Sequence, residues 1–260
     1  MEWSRVKSIL ICVFVVVNLI LLKVYIDGNN SQIVVDDATL ESTVKVLAQR
    51  NILVDKAAIP DRVSDVSIFN ITNKYKSVSE YAQALHEKAK KEGYDLFNPE
   101  NTSVNGSVVV YKGELQPVKK VKKALKKIGA LNSYNYKCTQ TQSGVLYSVL
   151  YDGLCVNDTY LRVDIEGEAL VITMSNWLAD SYKNTGFSSV QTAPEALISF
   201  ANAVSFDAPV EIQSVSQGYL AGDRRGEIQT STAAPVWKIT DKNGVGYYVD
   251  MRNGDFLAND

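Results

Sequence analysis

One histidine and three cysteines among 260 residues leave little from which a nucleophile with its base, or a metal cage, could be built. His86 falls among charged and small residues in the middle of a helical pattern, so a solvated or half-buried imidazole explains it without a general-base role. Zinc needs cysteine and histidine ligands at recurring spacings, which Cys12, Cys138, Cys155 and His86 do not supply. Asp36-Asp37 sets two carboxylates side by side, but capping of the helix that follows accounts for both. Gly218, Gly222 and Gly226 lack the Gly-x-Gly-x-x-Gly or Gly-Lys-Ser/Thr arrangement that cradles phosphate, so Gly218 to Gly226 reads as a mobile loop between two strands. No catalytic, cofactor-binding or metal-binding residue is assigned, and a non-enzymatic protein without a cofactor is expected.

What remains is binding chemistry. Lys119, Lys120, Lys122, Lys123, Lys126 and Lys127 interleave with Val118, Val121, Leu125 and Ile128, which share one helical face and leave the lysines opposite. Two readings stand: a solvated helix over a sheet, or a basic surface that docks an acidic partner, anionic lipid headgroups or wall polymers. Cys138 and Cys155 pair in an oxidising compartment or persist as two reduced structural thiols; spacing alone leaves both open. The net charge of −2 provides no basic field to gather phosphates, so no nucleic-acid partner is expected.

The elements that would position these residues begin with an apolar run from Ile9 to Leu22, broken by Asn18 and followed by Val24, Tyr25 and Ile26. A helix over 8–26 would reach about 28 Å, close to a hydrocarbon core. No small-x-small cleavage site follows, so the run reads as a retained anchor rather than a signal peptide. Arg5 and Lys7 precede it and Asp27 follows, which places residues 1–7 in the cytoplasm. The expected organisation is a cytoplasmic tail (1–7), a transmembrane anchor (8–26), a linker (27–37) and two extracytoplasmic lobes (38–156 and 157–260), as a single-pass protein of the cell membrane. Trp3 fits an interfacial anchor, and the Asn18 amide either bonds across a helix–helix interface in the membrane or is tolerated silently.

Helices are expected behind Asp36-Asp37, from Ser79 to Gly93, over Pro117–Ile128 and over Ala193–Ala203. Thr192-Ala193-Pro194-Glu195 carries a capping box with proline in the first turn. Strands are expected over Val63–Ile71, Ser107–Lys112, Tyr134–Gln140, Val145–Tyr151, Thr159–Ile165, Ala169–Ser175, Val210–Gln217, Val236–Thr240 and Gly246–Met251. Strands, a helix and more strands, twice over, give an α+β fold: two lobes of antiparallel sheet with packed helices behind the transmembrane helix. Trp237 and Tyr248 read as core beneath the Ala193–Ala203 helix.

The opening Met1-Glu2-Trp3-Ser4-Arg5-Val6-Lys7-Ser8-Ile9 resembles the start of YycI-type proteins. Asn51-Ile52, Ile59-Pro60, Gly218-Tyr219, Pro235-Val236-Trp237-Lys238-Ile239, Tyr247-Tyr248-Val249-Asp250 and Gly254 resemble further parts of that family's pattern, and the ending is also similar to PepSY modules. Met251 stands where the family often has alanine, and Cys138 and Cys155 are not among its hallmarks. The resemblance implies a non-catalytic, membrane-anchored regulator of a sensor histidine kinase of the YycG/WalK type, partnered by a YycH-like protein and acting through its membrane helix and outer domain. The alternative function is a tethered PepSY-like inhibitor or peptide-binding module that restrains an extracellular protease or binds peptide at an exposed strand edge.

Overall fold

The computed structural model describes residues 7, 11, 13–23, 33–64, 66–131, 135–175, 181–187, 190–221 and 230–259. Local signals set the first half. The Asp36 carboxylate accepts the Thr39 N–H at 2.7 Å and opens helix α1 (Asp37–Ala48), which buries Leu40, Thr43 and Leu47 along one stripe. Asn51, at φ 60°, turns the chain into strand β2 (Ile52–Val54). A short strand pair, β1 (Ile33–Val34) with β3 (Arg62–Val63), and strand β4 (Ser67–Thr72) flank this unit. The Ser77 hydroxyl caps α2 (Val78–Lys91) by accepting the Glu80 N–H at 3.1 Å. A hairpin of β5 (Thr102–Asn105) and β6 (Val108–Glu114) follows, then α3 (Val118–Lys127).

Strands β7 (Tyr136–Gln140), β8 (Gly144–Tyr151), β9 (Leu154–Glu166) and β10 (Ala169–Ser175) run as an antiparallel meander. Glu166-Gly167-Glu168 makes the β9–β10 turn, with Gly167 at φ 61°, a conformation that costs glycine little. Strand β11 (Ser181–Phe187) precedes α4 (Ala193–Ala203), and β12 (Val210–Leu220), β13 (Thr230–Asp241), β14 (Gly246–Asp250) and β15 (Phe256–Asn259) complete the chain. Gly218 and Tyr219, expected in a loop, lie in β12, while 222–229 are outside the described residues.

Among the described residues, thirteen of the fifteen strands join one sheet along the path β11-β4-β13-β12-β9-β10-β6-β5, with β2, β7, β8, β14 and β15 attached off it. Two of its pairings are parallel: β12 with β2 (Ile212 beside Val54) and β12 with β9 (Gly218 beside Cys155). The fold is therefore mixed α/β around a large mixed sheet, which corrects the expected α+β pair of antiparallel lobes. The hydrophobic pattern of each strand is satisfied on either kind of neighbour, and only the assembled sheet selects the parallel ones. β9 runs through position 157, where the second lobe was expected to begin. One hydrophobic core extends from Leu47 and Ile52 through Leu161 and Ile172 to Phe200 and Trp237.

The transmembrane helix expected over 8–26, and the single-pass membrane placement built on it, are also corrected. Among the described residues no helix is long and apolar enough to cross a membrane. Hydrophobicity summed along the sequence measures how apolar a stretch is, and crossing a bilayer also demands a continuous helix of sufficient length.

Candidate functional site

Helix α3 presents the most polarised surface of the globular part. Val121, Ala124 and Leu125 are buried, while Lys119, Lys120, Lys123, Lys126 and Lys127 are exposed on the opposite face. The helix has no side-chain cap at Pro117 and no acid in its first turn, so Lys119 and Lys120 sit at the positive end of the helix dipole, an arrangement the dipole disfavours. Lys122 is half-buried because its ammonium lies 5.7 Å from the centroid of the Tyr147 ring. Tyr147 is buried and meets Tyr136 edge-on, with centroids 5.4 Å apart. Burial, with smaller contributions from Cys138 and Tyr136, pushes the Tyr147 phenol up to about 12. Lys127 donates to Glu92 at 3.1 Å, and that bond raises its pKa.

The other residues singled out by sequence are dispersed. Cys138 is exposed on β7 opposite Tyr147; Cys155 is half-buried on β9 opposite Leu150, and both are free thiols. Two inter-strand spacings of about 4.8 Å lie between them, beyond the roughly 7 Å Cα limit for a disulfide. The Asn18 amide donates to the Phe14 carbonyl of its own helix at 2.8 Å. Trp3 lies outside the described residues. Trp237 and Tyr248 are buried core residues of β13 and β14. A Cβ at Gly218 would come within 2.5 Å of Asn157 Nδ2 and 2.9 Å of the Cys155 carbonyl, so the parallel β9–β12 pairing needs glycine there.

One cleft escaped the sequence reading. Ser79, Ala82, Gln83, His86 and Glu87 of α2 face Thr102 and Val104 of β5 across a space of about 320 Å³ floored by Phe97. His86 Nδ1 lies 3.4 Å from the Leu96 carbonyl; the tautomer that donates this bond leaves Nε2 as the ring's open acceptor. The signal for β5 was present in Asn105-Gly106, a hairpin dipeptide that demands a strand before it as well as after it. Among the described residues, no group of three or more histidine, cysteine, aspartate or glutamate side chains converges on a point where a metal could sit.

No protein family model and no curated protein matches the chain. Among solved structures it is similar to an uncharacterized protein from Eubacterium rectale ATCC 33656, at 9% identity and a TM-score of 0.38, over 87% of this chain and 94% of that one. That likeness is too distant to carry an argument about fold or function.

Proposed function

We propose that this chain is a non-catalytic regulatory protein of the YycI type that binds a YycG/WalK-type sensor histidine kinase, together with a YycH-like protein, through its globular domain. No membrane anchor enters this reading. The observation that carries it is the exposed lysine face of α3, held on a buried apolar stripe and set against the helix dipole. A surface so arranged suits an acidic partner patch, where complementary charge speeds encounter and fixes orientation. The resemblance of Pro235 to Ile239 and Tyr247 to Asp250 to the YycI-type pattern supports the same reading. Those strands hold the core, so the contact falls to the surface.

A bound protein shifts a two-state kinase only as far as its affinities for the two states differ; a tenfold difference supplies about 1.4 kcal/mol. Surface plasmon resonance of the full-length chain on the YycG/WalK-type kinase of the same genome tests the proposal. Saturable binding is expected, weakening as salt rises. The triple change K119E/K120E/K123E should weaken it by about tenfold or more. Absence of binding, or binding indifferent to the triple change, would reject the reading.

A further inference from the structure

We propose that the cleft between α2 and the free edge of β5 binds an extended segment of a protein partner as an added strand, with a basic side chain of that segment meeting Glu87. This goes beyond the kinase reading and does not rest on it.

The backbone argument comes first. Among the described residues β5 has a sheet neighbour on one side only, β6. Asn101 stands directly opposite Lys112, whose N–H donates to the Asn101 carbonyl at 2.9 Å. Residues along an antiparallel pair alternate between bonded and non-bonded positions, so Ser103 opposite Val110 is again a bonded pair. Thr102 and Val104 are then the residues whose N–H and C=O point away from β6, toward the open edge. Their side chains are also the two from β5 that line the cleft. An incoming strand would therefore meet donors, acceptors and a side-chain recess at the same two residues.

The edge lacks lysine, proline and a bulge. Natural edges are blunted by lysine, proline or a bulge. β11 has a register shift between Asn184 and Gly186 and carries Lys183; β7 carries Lys137. The sequence of β5, Thr-Ser-Val-Asn, has neither charge nor proline, its register with β6 is unbroken, and Val104 is 39% exposed.

The side chains select the occupant. Among the described residues lining the cleft Glu87 alone carries a charge, and His86 Nε2 adds a second acceptor on the same wall in the tautomer whose Nδ1 donates to Leu96. Ala82, Phe97 and Val104 form the apolar part. A volume of about 320 Å³ is at the small end of ligand clefts and admits one extended segment rather than a folded domain. The fitting segment alternates an apolar side chain for the recess with a lysine or arginine for Glu87. A second copy of the chain fits less well, because β5 offers no cation to Glu87.

The test uses the full-length chain and a capped, dye-labelled pentapeptide, Lys-Thr-Val-Thr-Lys, which presents valine between two lysines in either strand direction. Fluorescence anisotropy should show saturable binding, and hydrogen exchange should slow at the Thr102 and Val104 amides. The peptide Glu-Thr-Val-Thr-Glu, and the variant Glu87→Lys with the lysine peptide, should each bind at least about tenfold more weakly. Val104→Pro removes an outward N–H without removing a β5–β6 hydrogen bond, and should weaken binding comparably while thermal unfolding stays close to the parent. Absence of saturable binding, or binding unaffected by both Glu87→Lys and Val104→Pro, would overturn the proposal. So would self-association abolished by Val104→Pro, which would assign the edge to a second copy. Neither variant touches α3, so this outcome and that of the kinase experiment are separable.

Discussion

The Trp237 indole N–H donates to the Gln191 carbonyl at 2.9 Å, joining the middle of β13 to the residue just before the capping box of α4. Gln191 in turn donates its own N–H to the Met251 carbonyl at 2.7 Å, so α4 is held at its start by β13 and by the turn that follows β14. Trp237 is fully buried, and its hydrogen bond explains why an indole stands where a phenyl ring would fill most of the space.

Trp237→Phe should destabilise the protein by about 1–3 kcal/mol, from the lost bond and the residual cavity, and Trp237→Ala by about 3–5 kcal/mol. Urea unfolding followed by circular dichroism would measure both. A cost for Trp237→Phe within error of zero would show that the Gln191 bond is energetically idle.

The Glu195 carboxylate accepts both the Thr192 N–H at 2.7 Å and the Thr192 hydroxyl at 2.9 Å. Glu195→Ala should cost about 1 kcal/mol, as for the loss of other helix caps. The same unfolding experiment decides it, and Glu195→Gln should recover part of the loss because the amide oxygen still accepts.

Burial holds the Tyr147 phenol at about 12, against an ordinary value of 10.0. The folded state thus keeps a proton that the unfolded chain releases first. This contribution is complete below pH 10 and disappears as pH rises toward 12; it is on the order of 2–3 kcal/mol. Unfolding midpoints measured between about pH 9 and 12 should fall more steeply for the parent than for Tyr147→Phe. Parallel curves would contradict the assignment.

Cys138 is exposed and Cys155 half-buried between β8 and β12, so iodoacetamide should alkylate Cys138 first in the native protein. Mild oxidation should produce no intramolecular crosslink between them. Peptide mapping by mass spectrometry reads both outcomes; an intramolecular Cys138–Cys155 disulfide would demand a different strand order around β8.

Much of the local structure is legible in the sequence alone. The Thr192 capping box places α4 at Ala193–Ala203, Asp36 and Gly93 mark the start of α1 and the stop after α2, and the apolar stripe of α3 puts the lysines outside. These signals work because a cap, a turn or an amphipathic stripe is decided by residues within a few positions of one another. Sheet order is different. The alternation in β12 specifies a buried face, yet whether Gly218 lies beside Cys155 or beside some other residue depends on segments more than sixty positions away in sequence (Cys155 to Gly218). Composition likewise registered an apolar stretch near the N-terminus, whereas crossing a bilayer also depends on the length of the helix that forms. The cleft at β5 was the least visible feature, since its value lies in backbone groups that β6 leaves unpaired. Every residue except proline has the same backbone N–H and C=O, so only the tertiary structure decides which of them remain open to a partner.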